Sequence, residues 1–243
     1  MIDGDSVRQL AFATPKEGSI LLDQSTLEGL KKMPVDIFDN VYLGEVKPEA
    51  LSLCIDVRGF SDFLCSHDEK TVFSLITSFT SNFLSCVNQF GYGCSYYKLL
   101  GDGGLVIWDQ IDSNTLNEAI MVFQTYTEFV KEELFKPYKD LALAGALVLD
   151  KVYKYEISAE ASQLKYRDYV GYGINLACRL QGLAKGGELI VNSNLVETGA
   201  VNAEKRDGEN NLEDLHRLKG LKKEDREALY FYSEIKPDGP YSS

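Results

Sequence analysis

Two carboxylates stand where this sequence could hold a hard cation. Asp102 lies in Gly101-Asp102-Gly103-Gly104, between the apolar runs 96–100 and 105–108. Gly and Asp accept the positive φ of a tight turn, so the stretch predicts a β-hairpin with a carboxylate at its tip. Asp56 ends a second apolar run, 51–56, and a glycine turn and a long helical pattern follow it. A strand that delivers a carboxylate to its end, just before a helix start, suits metal and phosphate together. The carboxylate offers oxygen to the cation, and free N–H groups at the helix start face the phosphate. Arg58, Gly59 and Phe60 are the candidate phosphate-binding residues. Taken alone, Asp102 also fits a plain turn former, and Lys98 an edge-strand gatekeeper.

A third stretch, 167–180, carries Asp168 on a short strand, then Gly171 and Gly173, then a helical pattern. Asn175 and Arg179 are four apart and share one helical face. On its own this pair also fits a surface cap.

The elements that must position these groups follow from periodicity. The apolar residues of 62–90 recur at helical spacing with a break near 66–68, so two helical segments are expected, ended by Gly91-Tyr92-Gly93. Residues 114–134 predict an amphipathic helix, 141–149 a central strand, and 188–191 a short strand. The run 151–161 fits either an extension of the central strand or a loop. Residues 197–211 read as an exposed polar excursion, and 215–221 with 228–235 as a terminal hairpin. A short helix is expected at 25–32, an extended lead-in at 36–46, and a disordered tail after residue 236. The order of elements predicts an α+β fold, a ferredoxin-like antiparallel sheet with helices on one face. The expected domains are an N-terminal extension, 1–46, a catalytic domain, 47–235, and the tail.

The chain has 243 residues, 44% of them hydrophobic, and a formal charge of −12. That is ample for a core and argues against general nucleic-acid binding, which wants a basic face. The five cysteines form no C-x-x-C pair and sit mostly in apolar periodic stretches, as reduced core residues do. Two histidines allow no zinc-type cluster. With neither a leader-like N-terminus nor a bilayer-length apolar run, the expectation is a cytoplasmic protein with no membrane or nucleic-acid partner.

The pair Asp56…Gly101-Asp102-Gly103, with Asp168, Asn175-x-x-x-Arg179 and Leu218-Lys219-Gly220 in the same order, resembles class III nucleotidyl cyclase catalytic domains over roughly residues 40–234. The resemblance implies that Asp56 and Asp102 hold two divalent ions, Mn²⁺ or Mg²⁺, with the Val57 carbonyl completing one shell. Lys98 and Asp168 fall at base-reading positions. Asn175 is similar to the residue that orients the ribose, Arg179 to the one that stabilises charge at the α-phosphate, and Lys219 to the one that holds the terminal phosphates. The family builds its site across a dimer interface, so a homodimer with two shared active sites is implied. Two departures stand out: Cys54, where Phe is common, and Tyr169, where some members carry a smaller aliphatic residue.

Lys98 as donor and Asp168 as acceptor can satisfy adenine, cytosine or uracil. Tyr97, Tyr169 and Tyr172 are bulky and near that wall by sequence, which favours the smaller base. A catalytic domain with only a short N-terminal arm also resembles the uridylate and cytidylate cyclases of bacterial anti-phage (Pycsar) systems, whose cyclic UMP or cyclic CMP is read by a separate effector protein. The alternatives are an adenylate cyclase and an inert nucleotide-binding dimerisation module.

Overall fold

Continuous apolar stretches, rather than alternation, mark the inner parts of three strands as buried on both faces. In the computed structural model, which describes residue 28 and residues 40–159, 164–207 and 220–236, those strands form the middle of the sheet. β1 is Asn40–Arg58, followed by α1, Phe60–Ser66, and α2, Glu69–Phe90. β2, Tyr96–Leu99, and β3, Gly103–Trp108, make the hairpin. α3, Thr115–Phe129, ends in a π-wound turn, Val130–Leu134. β4, Ala142–Ala159, pairs with β5, Leu164–Val170, and α4, Tyr172–Gln181, follows. β6, Leu189–Val191, α5, Ser193–Glu197, β7, Val201–Asp207, α6, Glu224–Glu227, and β8, Ala228–Ile235, complete the order.

The sheet runs β2-β3-β1-β4-β6-β8-β7, with β5 on β4. The β4–β6 pair is parallel, while β1–β3, β2–β3, β6–β8 and β7–β8 are antiparallel. By contacts the chain divides into two compact units, Met1–Val41 with Ile157–Tyr166 and Tyr42–Glu156 with Arg167–Ser243; every candidate residue belongs to the second. Among the described residues no helix is long and apolar enough to cross a membrane.

Strand alternation sends Leu53, Ile55, Val106, Trp108, Leu143 and Leu147 to one face, where they meet Leu75, Phe79 and Phe83 of α2 and Ile120 and Phe123 of α3. Cys54, Leu105, Ile107, Ala144, Ala146 and Val148 go to the other, where they meet Leu176, Ala177 and Leu180 of α4. The α+β fold holds, but helices cover both faces rather than one. The reason is the continuous apolar character of β1, β3 and β4: a single helical layer would leave one apolar face in water. The small residues Ala144 and Ala146 of β4 let α4 lie close.

Two other expectations change. The polar stretch 197–211 begins at the last residue of α5 and contains an edge strand, β7, which is an antiparallel partner of β8. Its sequence, Val-Asn-Ala-Glu-Lys-Arg-Asp, is polar because an edge strand needs little apolar surface and benefits from charge. The run 151–161, open between strand and loop, continues β4 to Ala159. The helix expected at 25–32 lies outside the described residues apart from Glu28, which is helical; residues 215–219 and those from 237 onward lie outside them too.

Packing at the hairpin is tight enough to be tested. A Cβ on Gly104 would run into the ring of Phe83, which is fully buried, whereas one on Gly101 would meet nothing within 4 Å. Gly104→Ala should therefore cost about 1–3 kcal/mol by overpacking, and Gly101→Ala only the strain of its φ of 70°, roughly 1 kcal/mol. Urea denaturation should show the larger loss at Gly104; equal losses would mean that Phe83 moves aside.

Candidate active site

β1 and β3 pair so that Asp56 lies opposite Gly103. A Cβ at Gly103 would strike the carbonyl of Ile55, and its next contacts would be the Cα and the carboxylate of Asp56, both at 3.4 Å. Glycine is required because the strand and the carboxylate approach so closely. The Val57 N–H donates to the Asp102 carbonyl at 3.2 Å, which pins the hairpin tip to the end of β1. Asp56 and Asp102, both half-buried, thus become neighbours. The Asp56 carboxyl is held above the ordinary carboxylate range, by burial first and then by the negative charge of Asp102, while Arg58 pulls the other way. Two adjacent carboxylates under-compensated by one guanidinium are a donor set that a divalent ion would relieve, and the residues fit that role. Among the described residues no cluster of three or more His, Cys, Asp or Glu is arranged to hold a metal. An ion here would therefore take two carboxylates, with backbone carbonyl and ligand oxygens for the rest of its shell.

Of the phosphate candidates, Gly59 and Phe60 form the start of α1. Gly59 adopts a φ of 77° that suits glycine, and its carbonyl accepts from the Phe63 N–H at 3.0 Å. The Arg58 side chain is committed elsewhere. Its Nη1 donates to Asp56 Oδ2 at 3.1 Å, its Nε to the Ala184 carbonyl at 3.0 Å, and its Nη2 to both the carbonyl and Oε1 of Gln181, the latter at 2.7 Å.

Lys98 and Asp168, 70 residues apart, meet: Lys98 Nζ donates to Asp168 Oδ2 at 2.8 Å. The lysine side chain is 40% exposed and that of Asp168 11%, so the pair opens to solvent through its donor. The adjacent Tyr169 is buried; its hydroxyl donates to Asp109 Oδ2 at 2.8 Å and its ring lies 5.2 Å from that of Tyr96. Asp109 also accepts from Ser95 Oγ and lies 3.8 Å from Lys47 Nζ. Burial pushes its carboxyl up, but the Ser95 and Tyr169 hydroxyls and the nearby lysines outweigh that and hold it below the usual range. Asp109 carried no sequence signal, since it follows the hairpin as one more polar residue.

The three tyrosines expected at the base wall have separate fates. Tyr97 alternates with Lys98 and is exposed on the opposite face of β2, so Tyr96 shares the Lys98 side instead. Tyr169 is a core residue. The Tyr172 hydroxyl donates to Asp225 Oδ2 at 2.7 Å and accepts from the Lys222 N–H at 2.7 Å. That pair of bonds ties the start of α4 to the segment after Gly220, and no periodicity announced it.

Asn175 and Arg179 are exposed on α4, one turn apart. A Cβ at Gly220 would lie 4.0 Å from Arg179 Nη1, so the guanidinium reaches the 220 turn. Lys219, expected to hold terminal phosphates, lies outside the described residues. On the inner side of α4, Cys178 Sγ sits 3.5 Å from Cys54 Sγ. The structure therefore assembles a carboxylate pair, a lysine–aspartate pair and an exposed Asn–Arg helix face.

No family model matches this sequence, and no curated protein matches it. Solved structures do match. The guanylate cyclase domain of RhGC from Catenaria anguillulae, solved in complex with GTP, has a TM-score of 0.62 at 13% identity, over 79% of this chain and 100% of that one. The adenylyl cyclase CyaB from P. aeruginosa has a TM-score of 0.62 at 14% identity, over 80% and 99%. The guanylyl cyclase Cya2 has a TM-score of 0.61 at 16% identity, over 80% and 96%. At these identities the likeness is one of fold: the chain has the α+β fold of class III nucleotidyl cyclase catalytic domains.

Proposed function

We propose that this chain is a nucleotidyl cyclase. It would convert a nucleoside triphosphate, UTP or CTP, to the 3′,5′-cyclic monophosphate and pyrophosphate, in a homodimer with shared sites. The observation that carries the reading is the Asp56–Asp102 pair, held side by side by the β1–β3 register with too little positive charge to balance it. Two divalent ions, Mn²⁺ or Mg²⁺, would supply activation of the ribose 3′-hydroxyl and neutralisation of the phosphates. Asp56, Asp102 and the Val57 carbonyl would hold them. The amides of Gly59 and Phe60 would face the phosphates. From the partner chain, Lys98 would donate to the base and Asp168 accept from it. Asn175 would orient the ribose, and the Arg179 fork would meet negative charge as it builds on the α-phosphoryl oxygens. Lys219 would hold the terminal phosphates.

The pyrimidine assignment rests on the wall beside the Lys98–Asp168 pair. The rings of Tyr96 and Tyr169 lie against each other there, and Asp109 fixes the Tyr169 hydroxyl. Admitting a second ring would require moving packed aromatics, at about 1–3 kcal/mol. The product would then act as a second messenger for a separate effector, with anti-phage defence as its setting and the cytoplasm as its place. Purified protein with Mn²⁺ and each of the four nucleoside triphosphates, with products identified by mass, tests the reading. UTP or CTP should exceed ATP by roughly tenfold to a hundredfold, and Tyr96→Leu should narrow the gap. ATP as the best substrate overturns the pyrimidine assignment and leaves an adenylate cyclase; no cyclic product from any of the four overturns the enzyme.

Asp56 gives a second test, with the sign set by its raised pKa. A group whose folded pKa exceeds its unfolded value stabilises the fold below the unfolded pKa, and that contribution is lost as pH rises through the folded one. Near neutral pH and without metal, ionised Asp56 therefore opposes folding. Asp56→Asn should abolish cyclic product and yet melt no lower than wild type in chelator, and higher if relief of the charge dominates. A lower melting point there would mean that the Arg58 contact outweighs the burial of charge.

The shared site gives a third. Asp56→Ala and Arg179→Ala proteins, each inactive, should regain part of the wild-type activity after subunit exchange, because one of the two sites in a mixed dimer receives an intact half from each chain. Folded dimers that exchange and stay inactive would place all the groups of one site in one chain.

A further inference from the structure

Arg58 joins two groups that the shared-site reading assigns to different catalytic centres. One is Asp56, the cation-holding carboxylate. The other is the C-terminal end of α4, the helix that bears Asn175 and Arg179. The last carbonyls of a helix have no partner within it, and a cation there is favoured by the helix dipole. The Arg58 guanidinium meets both needs: it satisfies the carbonyls of Gln181, the last residue of α4, and Ala184, and it adds the Gln181 side-chain oxygen. Its remaining edge donates to Asp56 at 3.1 Å. A planar fork with five donors can make these contacts at once, whereas a lysine, one point charge, cannot. Arg179 is two residues from Gln181, in the last turn that Arg58 caps.

We propose that Arg58 is a positioning residue that couples the two centres of the dimer: it relays the state of Asp56 in one centre to the Asn175–Arg179 helix that the same chain lends to the other. The inference rests on the shared-site reading above. When a divalent ion engages Asp56, the carboxylate charge is taken up and the ion repels the guanidinium. The bond to Oδ2 loosens, and the fork settles on the helix carbonyls. Loading one centre with metal thus firms the helix end that serves the other.

Hydrogen–deuterium exchange on the full chain, with Mn²⁺ alone as the probe, reads this without turnover. The amides of Gly182, Leu183 and Ala184 donate to the carbonyls of Arg179, Leu180 and Gln181 and report on the helix end. In wild type, Mn²⁺ should slow their exchange by about two- to tenfold, the worth of one hydrogen bond. In Arg58→Ala the exchange should be faster from the outset and indifferent to Mn²⁺, and Arg58→Lys should follow Ala. Wild-type exchange that ignores bound Mn²⁺, or an Arg58→Ala protein that responds as wild type does, overturns the proposal.

The exchanged mixture of Asp56→Ala and Arg179→Ala chains separates the two halves of the claim. Arg58→Ala added to the Arg179→Ala chain, which lends Asp56, should shift the Mn²⁺ half-saturation. Arg58→Ala added to the Asp56→Ala chain, which lends the helix, should lower kcat with little change in KM. Loss only in the first placement overturns the relay and leaves Arg58 a counter-ion of the metal site. An inactive reference mixture counts against the shared site itself, and the exchange measurement then still decides whether Arg58 holds the end of α4.

Discussion

The close approach of β1 and β3 is the constraint on which the candidate site depends. Asp56 opposite Gly103, and the Val57 N–H on the Asp102 carbonyl, bring two carboxylates together at the edge of a packed sheet. Nothing in that pairing favours two like charges; burial and mutual repulsion both raise the Asp56 carboxyl. The strand register is held instead by the core beneath it, Ile55, Val57, Val106 and Phe83, which gains by burial about what any apolar cluster of that size gains. Stability is supplied where the residues are apolar and drawn on where they are charged. That separation is expected wherever two carboxylates are held together beside a packed apolar core.

Much of this was legible in the sequence because the signals are local. The hairpin announced itself through Gly101-Asp102-Gly103-Gly104, the end of β1 through an apolar run that stops at Asp56, and α4 through glycines followed by helical spacing. Coverage of both sheet faces was also implicit: β3 is buried at every position, and a strand of that kind needs a layer on each side. The expectation of helices on one face overlooked this, because α4 spans only 10 residues and gives a short periodic pattern.

What was not legible depends on distance along the chain or on strand parity. Arg58 follows Asp56-Val57 and looked like part of a phosphate-binding helix start; besides Asp56, its partners are more than 120 residues away, at and just beyond the end of α4. Tyr97 and Tyr96 differ only in which face of β2 they occupy, and a one-residue difference reverses the assignment. Asp109 and Asp225 are buried acceptors whose partners, Tyr169 and Tyr172, come from β5 and α4. Buried polar groups of this kind are satisfied one by one, without periodicity. β7 was missed for a related reason: an edge strand beside one neighbour can be polar nearly throughout.

If the proposed triphosphate is the substrate, an acidic chain must accept a polyanion, and the placement of its cations bears on that. With a net charge of −12 the surface field repels a triphosphate at long range, but screening confines that repulsion to about 10 Å in ordinary salt. Within that range each cation has a separate station. Lys98 is balanced by Asp168, Arg58 by Asp56 and the α4 carbonyls, and Arg179 is carried on the open face of the helix near Gly220. A lysine already matched to an aspartate presents a donor and an acceptor side by side, which suits a neutral base edge better than a phosphate. The Lys98–Asp168 pair thus sets a donor beside an acceptor, Arg179 lies on the exposed face of α4 near Gly220, and Asp56 keeps the Arg58 guanidinium at 3.1 Å.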